Sequence, residues 1–479
     1  MKTLRILFSC SFFYLFLLTA VSGHALDPSK RITQYQHRAW RVQDGLLPKG
    51  LYWISQTTDG YLQVGADAGG FRFDGVRFVP WPSSITPNGF DYFSFLPSKT
   101  GGFWIGDSHG VSHIKGERVI AHIALSGIPG RMIEDADGSL WTVRYSLQGP
   151  PICHVTDLSA HCFGEAEGMP FQRVSSILLD GKGGLWIGTD TGLAHWKSGH
   201  SEIYEYKALK SNVGQNGIMS LVQDSDGSLW VGIGNAGPEA GLQKFDGRNS
   251  RPFVTRNFNG SKIGVLRLLM DRDRNLWVAT VANGLYRIHG ETVDHFGRSD
   301  GLSSDSVSGF YEDREGILWV ATSNGIDSFT DRNVTTFSQQ EGLSTDVASS
   351  VMASHDGTVW LANAGSLDYI RNGEVFSIRS GAGLPGFQVT SLLEDHAGQI
   401  WVGVDDGLFL YKNRHFRRLP EPDHHPLGMV VGITEDMDGN IWAECASNPR
   451  KLVRIRDFHV QEEFSNSQVP PGHSLAADP

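Results

Sequence analysis

One short phrase recurs ten times along the 479 residues, and its tryptophan sets the spacing of everything else. The copies "DGSLWTV", "GGLWIGTDTGL", "DGSLWVGIG", "RNLWVATVANGL", "EGILWVATSNGI", "DGTVWLANAGSL", "AGQIWVGVDDGL" and "GNIWAECA" carry Trp141, Trp186, Trp230, Trp277, Trp319, Trp360, Trp401 and Trp442. "GGFWIGDSHGV" adds Trp104, and "DGYLQVGADAGGF" holds Gln63 in the tryptophan slot. Consecutive anchors lie 41, 37, 45, 44, 47, 42, 41, 41 and 41 residues apart. A period of this length means one supersecondary unit repeated, in which each unit buries its apolar face against the next.

The unit is legible in one copy. Val307 to Glu312 predicts a first strand, residues 313 to 316 a turn, and Ile317 to Thr322 a second strand. Asn324 and Gly325 predict a hairpin turn with φ > 0, followed by a third strand around Ile326 to Phe329 and a fourth around Val334 to Phe337. Nine of the ten copies place Gly three residues before the tryptophan slot, Arg274 being the exception, and seven place Asp six before it. In such a D-x-x-G turn the Asp side chain caps backbone amides and Gly takes the left-handed geometry. The tryptophans are expected to be structural anchors packed between sheets. The first copy, with "LQVGA" in place of "LWVGT", is expected to pack less firmly.

Four strands per ~40 residues favour radial closure, which protects sheet edges. The fold class expected is all-β, a β-propeller built from about ten four-stranded blades. Ten blades overfill a typical ring, and "ITQYQHRAWRVQDGL" resembles a fourth strand with no strands before it. The division expected is a seven-bladed propeller over 31–331, closed by that N-terminal strand. An incomplete second propeller then occupies 332–479, restarting near Val334 with three blades and the first strand of another. Leu475 to Asp478 match Ile433 to Asp436 in the repeat frame, so the next tryptophan is expected at about position 484 and the chain as the front of a longer reading frame.

Composition narrows the partners. A formal net charge of −11 and the lack of a Lys/Arg run argue against nucleic acid. Residues 1–25, with Lys2, Arg5, an apolar run from Ile6 to Ala20, and Gly23 and Ala25 before the break, predict a secretory signal peptide; an uncleaved anchor is the alternative. A hairpin centred on Asp157 and Leu158 places Cys153 opposite Cys162, which suits either a disulfide or two buried thiols.

The opening "HRAWRVQDGLLPKGLYWISQTTDGYLQVGADAGGFRFDGVRFVPW" and the recurring "GL…V…ED.DG.LWVGT..GL" resemble the periplasmic regulator-propeller region of two-component hybrid sensor histidine kinases. The resemblance covers 35 to 479. It implies two seven-bladed propellers, an immunoglobulin-like domain, one membrane span and a cytoplasmic kinase, in sensors associated with carbohydrate detection by Gram-negative bacteria. No phospho-acceptor His segment, ATP-binding glycine box or second apolar span occurs in these residues. The chain is therefore expected to be a non-enzymatic, periplasmic sensor region. Its partners would be a carbohydrate or other small ligand and a second copy paired through the missing C-terminal region. Membrane contact would come only through the signal peptide or a downstream span.

No cofactor or metal is expected. "DADGS", "DSDGS" and "DMDGN" fall at the repeat's turn and lack a full calcium loop, and His424 and His425 have no third ligand at metal spacing. Binding is expected instead on the loops leading into each blade's innermost strand, where the residues 14 and 13 before the tryptophan slot vary between copies. These give Lys49, Asp91, Gln172, Arg173, Asn216, Asp305, Asp346 and Gln388 as candidate rim residues, polar groups suited to a sugar. The alternatives are a protein-interaction scaffold and a propeller lyase.

Overall fold

The computed structural model describes residues 26–475 apart from 46, 83–91, 117, 147, 207–208, 210–216, 332–333, 421–425, 447–449 and 466–474. The signal segment, Asp91, Asn216, His424, His425 and nearly all of the expected eleventh first strand lie outside the described residues. The chain divides into two compact units after residue 333.

The first unit contains seven antiparallel sheets. Blades 1 to 6 each use four consecutive strands and open with Leu51–Gln56, Tyr92–Pro97, Ile128–Glu134, Val174–Leu179, Ile218–Gln223 and Val265–Met270. Blade 7 is built from Val307–Glu312, Leu318–Thr322 and Gly325–Thr330, and its fourth strand is Gln36–Arg41 from the N-terminus, with Trp40 opposite Ile326. The opening strand of each blade packs on that of the next, and blade 7 returns to blade 1. The ring is closed, and its opening strands surround a central channel. Residues 334–337 are not a strand, in contrast to the sequence expectation, because Gln36–Arg41 already occupies the free edge of Gly325–Thr330. The same strand explains Gly325. Neither it nor Asn324 has a positive φ, but a Cβ on Gly325 would collide with the Trp40 carbonyl oxygen.

The second unit contains three sheets, opening with Ser350–Ala353, Val389–Glu394 and Val430–Glu435. The first of these, blade 8, has a fifth strand where four were expected. Its "GAGL" turn folds back so that Gly383–Leu384 runs parallel to Glu374–Ser380.

Six of the ten blades are locked by the Asp that lies six residues before the tryptophan. In blade 6 one Asp271 carboxylate oxygen accepts from the backbone amides of Asp273 (3.0 Å) and Asn275 (2.7 Å), while the other accepts from the Trp277 indole N–H at 2.7 Å. The same indole bond joins Trp230 to Asp224 (3.0 Å), Trp319 to Asp313 (2.7 Å), Trp401 to Asp395 (2.8 Å) and Trp442 to Asp436 (2.7 Å). It is longer from Trp141 to Asp135, at 3.3 Å. All nine turn glycines have φ > 0, and Arg274 adopts the same geometry at φ 65°, so the turn is retained without its glycine. The indoles then pack on the following blade: Trp277 against Leu318 and Phe329, Trp360 against Val389 and Val402, and Trp104 against Leu140 and Val155. Burying such a ring contributes at most about 4 to 6 kcal/mol. Trp186 is half-buried because Asp180 bonds His195 (2.9 Å) and the indole stacks on that imidazole. Trp442, also half-buried, has no following blade among the described residues.

Blade 1 corrects an expectation. Gln63 fills the tryptophan slot but accepts a 2.7 Å bond from the indole of Trp81, which is buried with Phe103 and Ile105 of blade 2. A tryptophan from the outer end of the blade thus restores the missing layer.

A second recurring bond joins neighbours. Seven residues before the slot, Glu or Gln accepts the amide of the residue five before the slot in the preceding blade: Glu312 from Arg272 (3.0 Å), Gln56 from Arg314 (3.0 Å), Glu394 from His355 and Glu435 from His396 (both 2.8 Å), and Glu134 from Lys99. Leu179 and Met270 stand at this position in blades 4 and 6 and cannot make it. Cys153 and Cys162 are directly opposed in blade 3 and bridged, while Cys445 is buried in the core of blade 10.

Replacing Asp271 with Ala strands a fully buried indole N–H and two turn amides. The urea midpoint of the first unit is expected to fall by the equivalent of about 3 kcal/mol, and Arg274→Gly is expected to raise it by roughly 0.5 to 1 kcal/mol by removing the left-handed strain. Asp436 is held down at about 2 by the Trp442 indole first and the Asn440 amides second. Its folded value lies below the unfolded one, so its contribution is complete above pH 4 and is lost as pH falls toward 2. Melting of the second unit should show that acid dependence, and Asp436→Asn should remove it.

Candidate functional site

The mouth of the first ring is shaped by a repeated irregularity. The opening strand of each blade slips register near its start, between Leu51 and Trp53, Tyr92 and Ser94, Pro129 and Met132, Val174 and Ser176, Ile218 and Ser220, Val265 and Arg267, and Val307 and Gly309. A bulge frees backbone groups and re-aims side chains. The residue ten before the tryptophan slot deals with the freed groups: Ser94 donates to the Pro129 carbonyl (3.1 Å), Ser176 to that of Ile218 (2.5 Å), and Ser220 accepts from the Leu268 amide (3.0 Å). Seven of the ten copies place Ser or Gly here; Trp53, Arg131 and Arg267 depart. Trp53 is accounted for by packing, stacked on Phe95 at 4.3 Å with Gly65 leaving room for it.

Arg131 and Arg267 have no such account. They belong to blades 3 and 6, which do not adjoin, so the central channel is the space that both can reach. Arg131 reaches past blade 4 to donate to the Met219 carbonyl of blade 5 at 3.1 Å, and its Nε is sealed from solvent without a partner. Arg267 donates to the carbonyl of its own neighbour Leu266 at 2.8 Å. No carboxylate among the described residues pairs with either. Burial, and then the facing Arg267 cation, pushes Arg131 down to about 9, and burial lowers Arg267 as well. Both keep some solvent-exposed surface in the channel and remain cationic at neutral pH. The half-exposed Tyr145 completes the group, its ring lying where a Cβ on Gly130 would stand.

A cavity of about 470 Å³ opens above blades 3 to 5, lined by Arg144, Tyr145, Gln172, Arg173, Asp190 and Met219 among others. Arg144 shapes its wall, donating to the carbonyls of Gln148 (2.8 Å) and Pro150 (2.7 Å) and to Ser126. Of the candidate rim residues, Gln172 and Arg173 stand together here, both exposed. Lys49 borders a separate cavity of about 530 Å³ with Arg41, Arg298 and Ser303. Asp305 caps the preceding 3-10 turn through the Arg298 amide at 2.8 Å, and Asp346 does the same for Gln339 at 2.7 Å. Asp346 and Gln388 belong to the second unit, where Gln388 bridges Ala364 through its backbone. Arg131, Arg267, Tyr145 and Met219 were not singled out from sequence. The signal for the two arginines was their departure from Ser or Gly at a fixed repeat position.

Comparison with known proteins bears on the fold and the repeats. The family described as two component regulator propeller matches residues 168–191, 212–235 and 301–324. The extracellular domain of BT3049 from B. thetaiotaomicron, described as a hybrid two component system, is similar over 92% of this chain and 68% of its own, at 17% identity and a TM-score of 0.58. That of BT4673 from the same organism matches over 93% of this chain and 63% of its own, at 17% identity and a TM-score of 0.50. A histidine kinase, P4 of Formosa agariphila, is 30% identical over 103 residues, and this chain spans 7% of its length. The chain is an all-β propeller protein, three segments of which match the two component regulator propeller family.

Proposed function

We propose that the chain is the ligand-binding sensor region of a two-component signalling protein, working outside the cytoplasm in the periplasm and taking a carbohydrate at the mouth of its first ring. The observation that carries this reading is the cavity over blades 3 to 5, where an amide, a phenol, hydroxyls and a guanidinium converge on a rigid closed ring. Such groups offer hydrogen bonds and a stacking face to a sugar. The segments that match the regulator-propeller family and the likeness to extracellular domains described as hybrid two component systems support the signalling role. Binding rather than turnover is supported by the chemistry of the mouth. Asp190 is the one carboxylate among its described lining residues and no imidazole stands beside it, so a general acid–base pair is not assembled there. A kinase, a membrane span and pairing of two copies belong to the longer protein of which this would be the sensing part.

Screening the chain against pooled plant and algal oligosaccharides by calorimetry tests the reading. A binder is expected, and Gln172→Ala and Arg173→Ala are each expected to weaken it by about tenfold, the worth of one charge-assisted or well-formed hydrogen bond. Unchanged affinity in both variants would place the ligand elsewhere. A protein partner captured in place of any glycan would favour an interaction scaffold.

A further inference from the structure

Two arginines facing each other without a carboxylate between them are an incomplete arrangement. At their repeat position a serine or glycine suffices for the scaffold, as Ser94, Ser176 and Ser220 show by satisfying the bulge with a single hydroxyl. Arg131 and Arg267 replace that small group with a long cation, and Arg131 reaches the Met219 carbonyl of blade 5, whose opening strand packs on the strand of blade 6 that carries Arg267, so that each cation acts on the other. This placement costs desolvation and like-charge repulsion, and these push Arg131 down to about 9. The donors are only partly used: Arg131 gives one bond to Met219 and its buried Nε none, and Arg267 bonds its own backbone. The route in is also present, since Met219 and Tyr145 both line the mouth cavity, with Arg173 at its edge.

Resting on the carbohydrate-binding reading above, we propose that the ligand is an acidic sugar whose oxyanion, a uronate carboxylate or a sulfate ester, is held in the central channel by Arg131 and Arg267. A guanidinium offers a planar fork of donors that matches either group, and an anion placed between the two converts mutual repulsion into two charge-assisted interactions. The neutral part of the sugar then lies in the cavity above, against Tyr145 and Gln172. The chain's formal net charge of −11 would disfavour anions in general, so the selectivity is local to the channel.

The test uses the whole chain and four probes at matched ionic strength: sodium glucuronate, galactose 6-sulfate, galactose and sodium sulfate. Calorimetry and thermal unfolding are recorded for the wild type, Arg131→Met, Arg267→Met and the double variant. Glucuronate or galactose 6-sulfate is expected to bind at least tenfold more tightly than galactose, identifying carboxylate or sulfate as the source. Each single variant is expected to lose that preference by tenfold or more. The unliganded double variant is expected to unfold at the same temperature as the wild type or higher, because two half-buried, mutually repelling cations are gone. Equal binding of charged and neutral sugars by the wild type, or a preference that survives both substitutions, overturns the proposal while leaving carbohydrate sensing intact. A double variant that unfolds well below the wild type also overturns it, since the arginines would then be structural. Arg131-dependent binding of inorganic sulfate with no gain from any sugar would keep the anion site and remove the carbohydrate reading. No response to any anion would remove the inference outright.

Discussion

A single carboxylate that holds both a turn and an indole is the interaction on which this architecture depends. In six blades the Asp six residues before the tryptophan uses one oxygen to order the turn between the first two strands and the other to fix the tryptophan of that blade, as Asp271 and Asp313 do. Local geometry and blade-to-blade packing are therefore set by the same side chain. The copies that depart from it show what it contributes. With Ser98 in the Asp position, the Trp104 indole N–H is buried without a partner; with Ser354, Trp360 still finds a hydroxyl at 3.1 Å. Where Asp180 turns to His195, Trp186 remains half-exposed.

On that base the ring divides its work. Glu or Gln staples join blades 2 to 3, 6 to 7 and 7 to 1, and the N-terminal strand seals blade 7 through Trp40 stacked on Trp319 and His37 bonded to Asp327 at 2.7 Å. The interfaces between blades 3, 4, 5 and 6 lack the staple and rely on packed apolar side chains and on the serines that cap the bulges. This same arc carries the mouth cavity and both channel arginines. Backbone staples are thus sparse along the arc proposed to meet a ligand.

Much of this was legible in the sequence because it is local and repeated: the strand and turn plan of a blade, the left-handed glycines and the all-β class follow from residues a few positions apart. What escaped depends on partners distant in the chain. The second Asp oxygen looks the same in sequence whether or not an indole reaches it. The strand expected at 334–337 had the right composition, but its edge was taken by residues nearly three hundred positions earlier. Trp81 rescues blade 1 from outside the repeat frame. The turn-capping bonds of Asp305 and Asp346 were likewise not read from their rim position. Arg131 and Arg267 were readable in principle, as charged residues where the repeat uses Ser or Gly, but only alignment on the tenth residue before the slot reveals them.

Hydrogen exchange on the intact chain, with and without an acidic oligosaccharide that binds it, tests the central claim most directly: one set of residues builds the ring and another, over blades 3 to 6, meets the ligand. The account predicts slow exchange at the tryptophan strands and their turns in both states, with ligand-dependent protection confined to peptides around 129–131, 144–146, 172–175, 217–219 and 265–267. Protection that appears on the outer strands or at the staples, with these peptides unchanged, would contradict it.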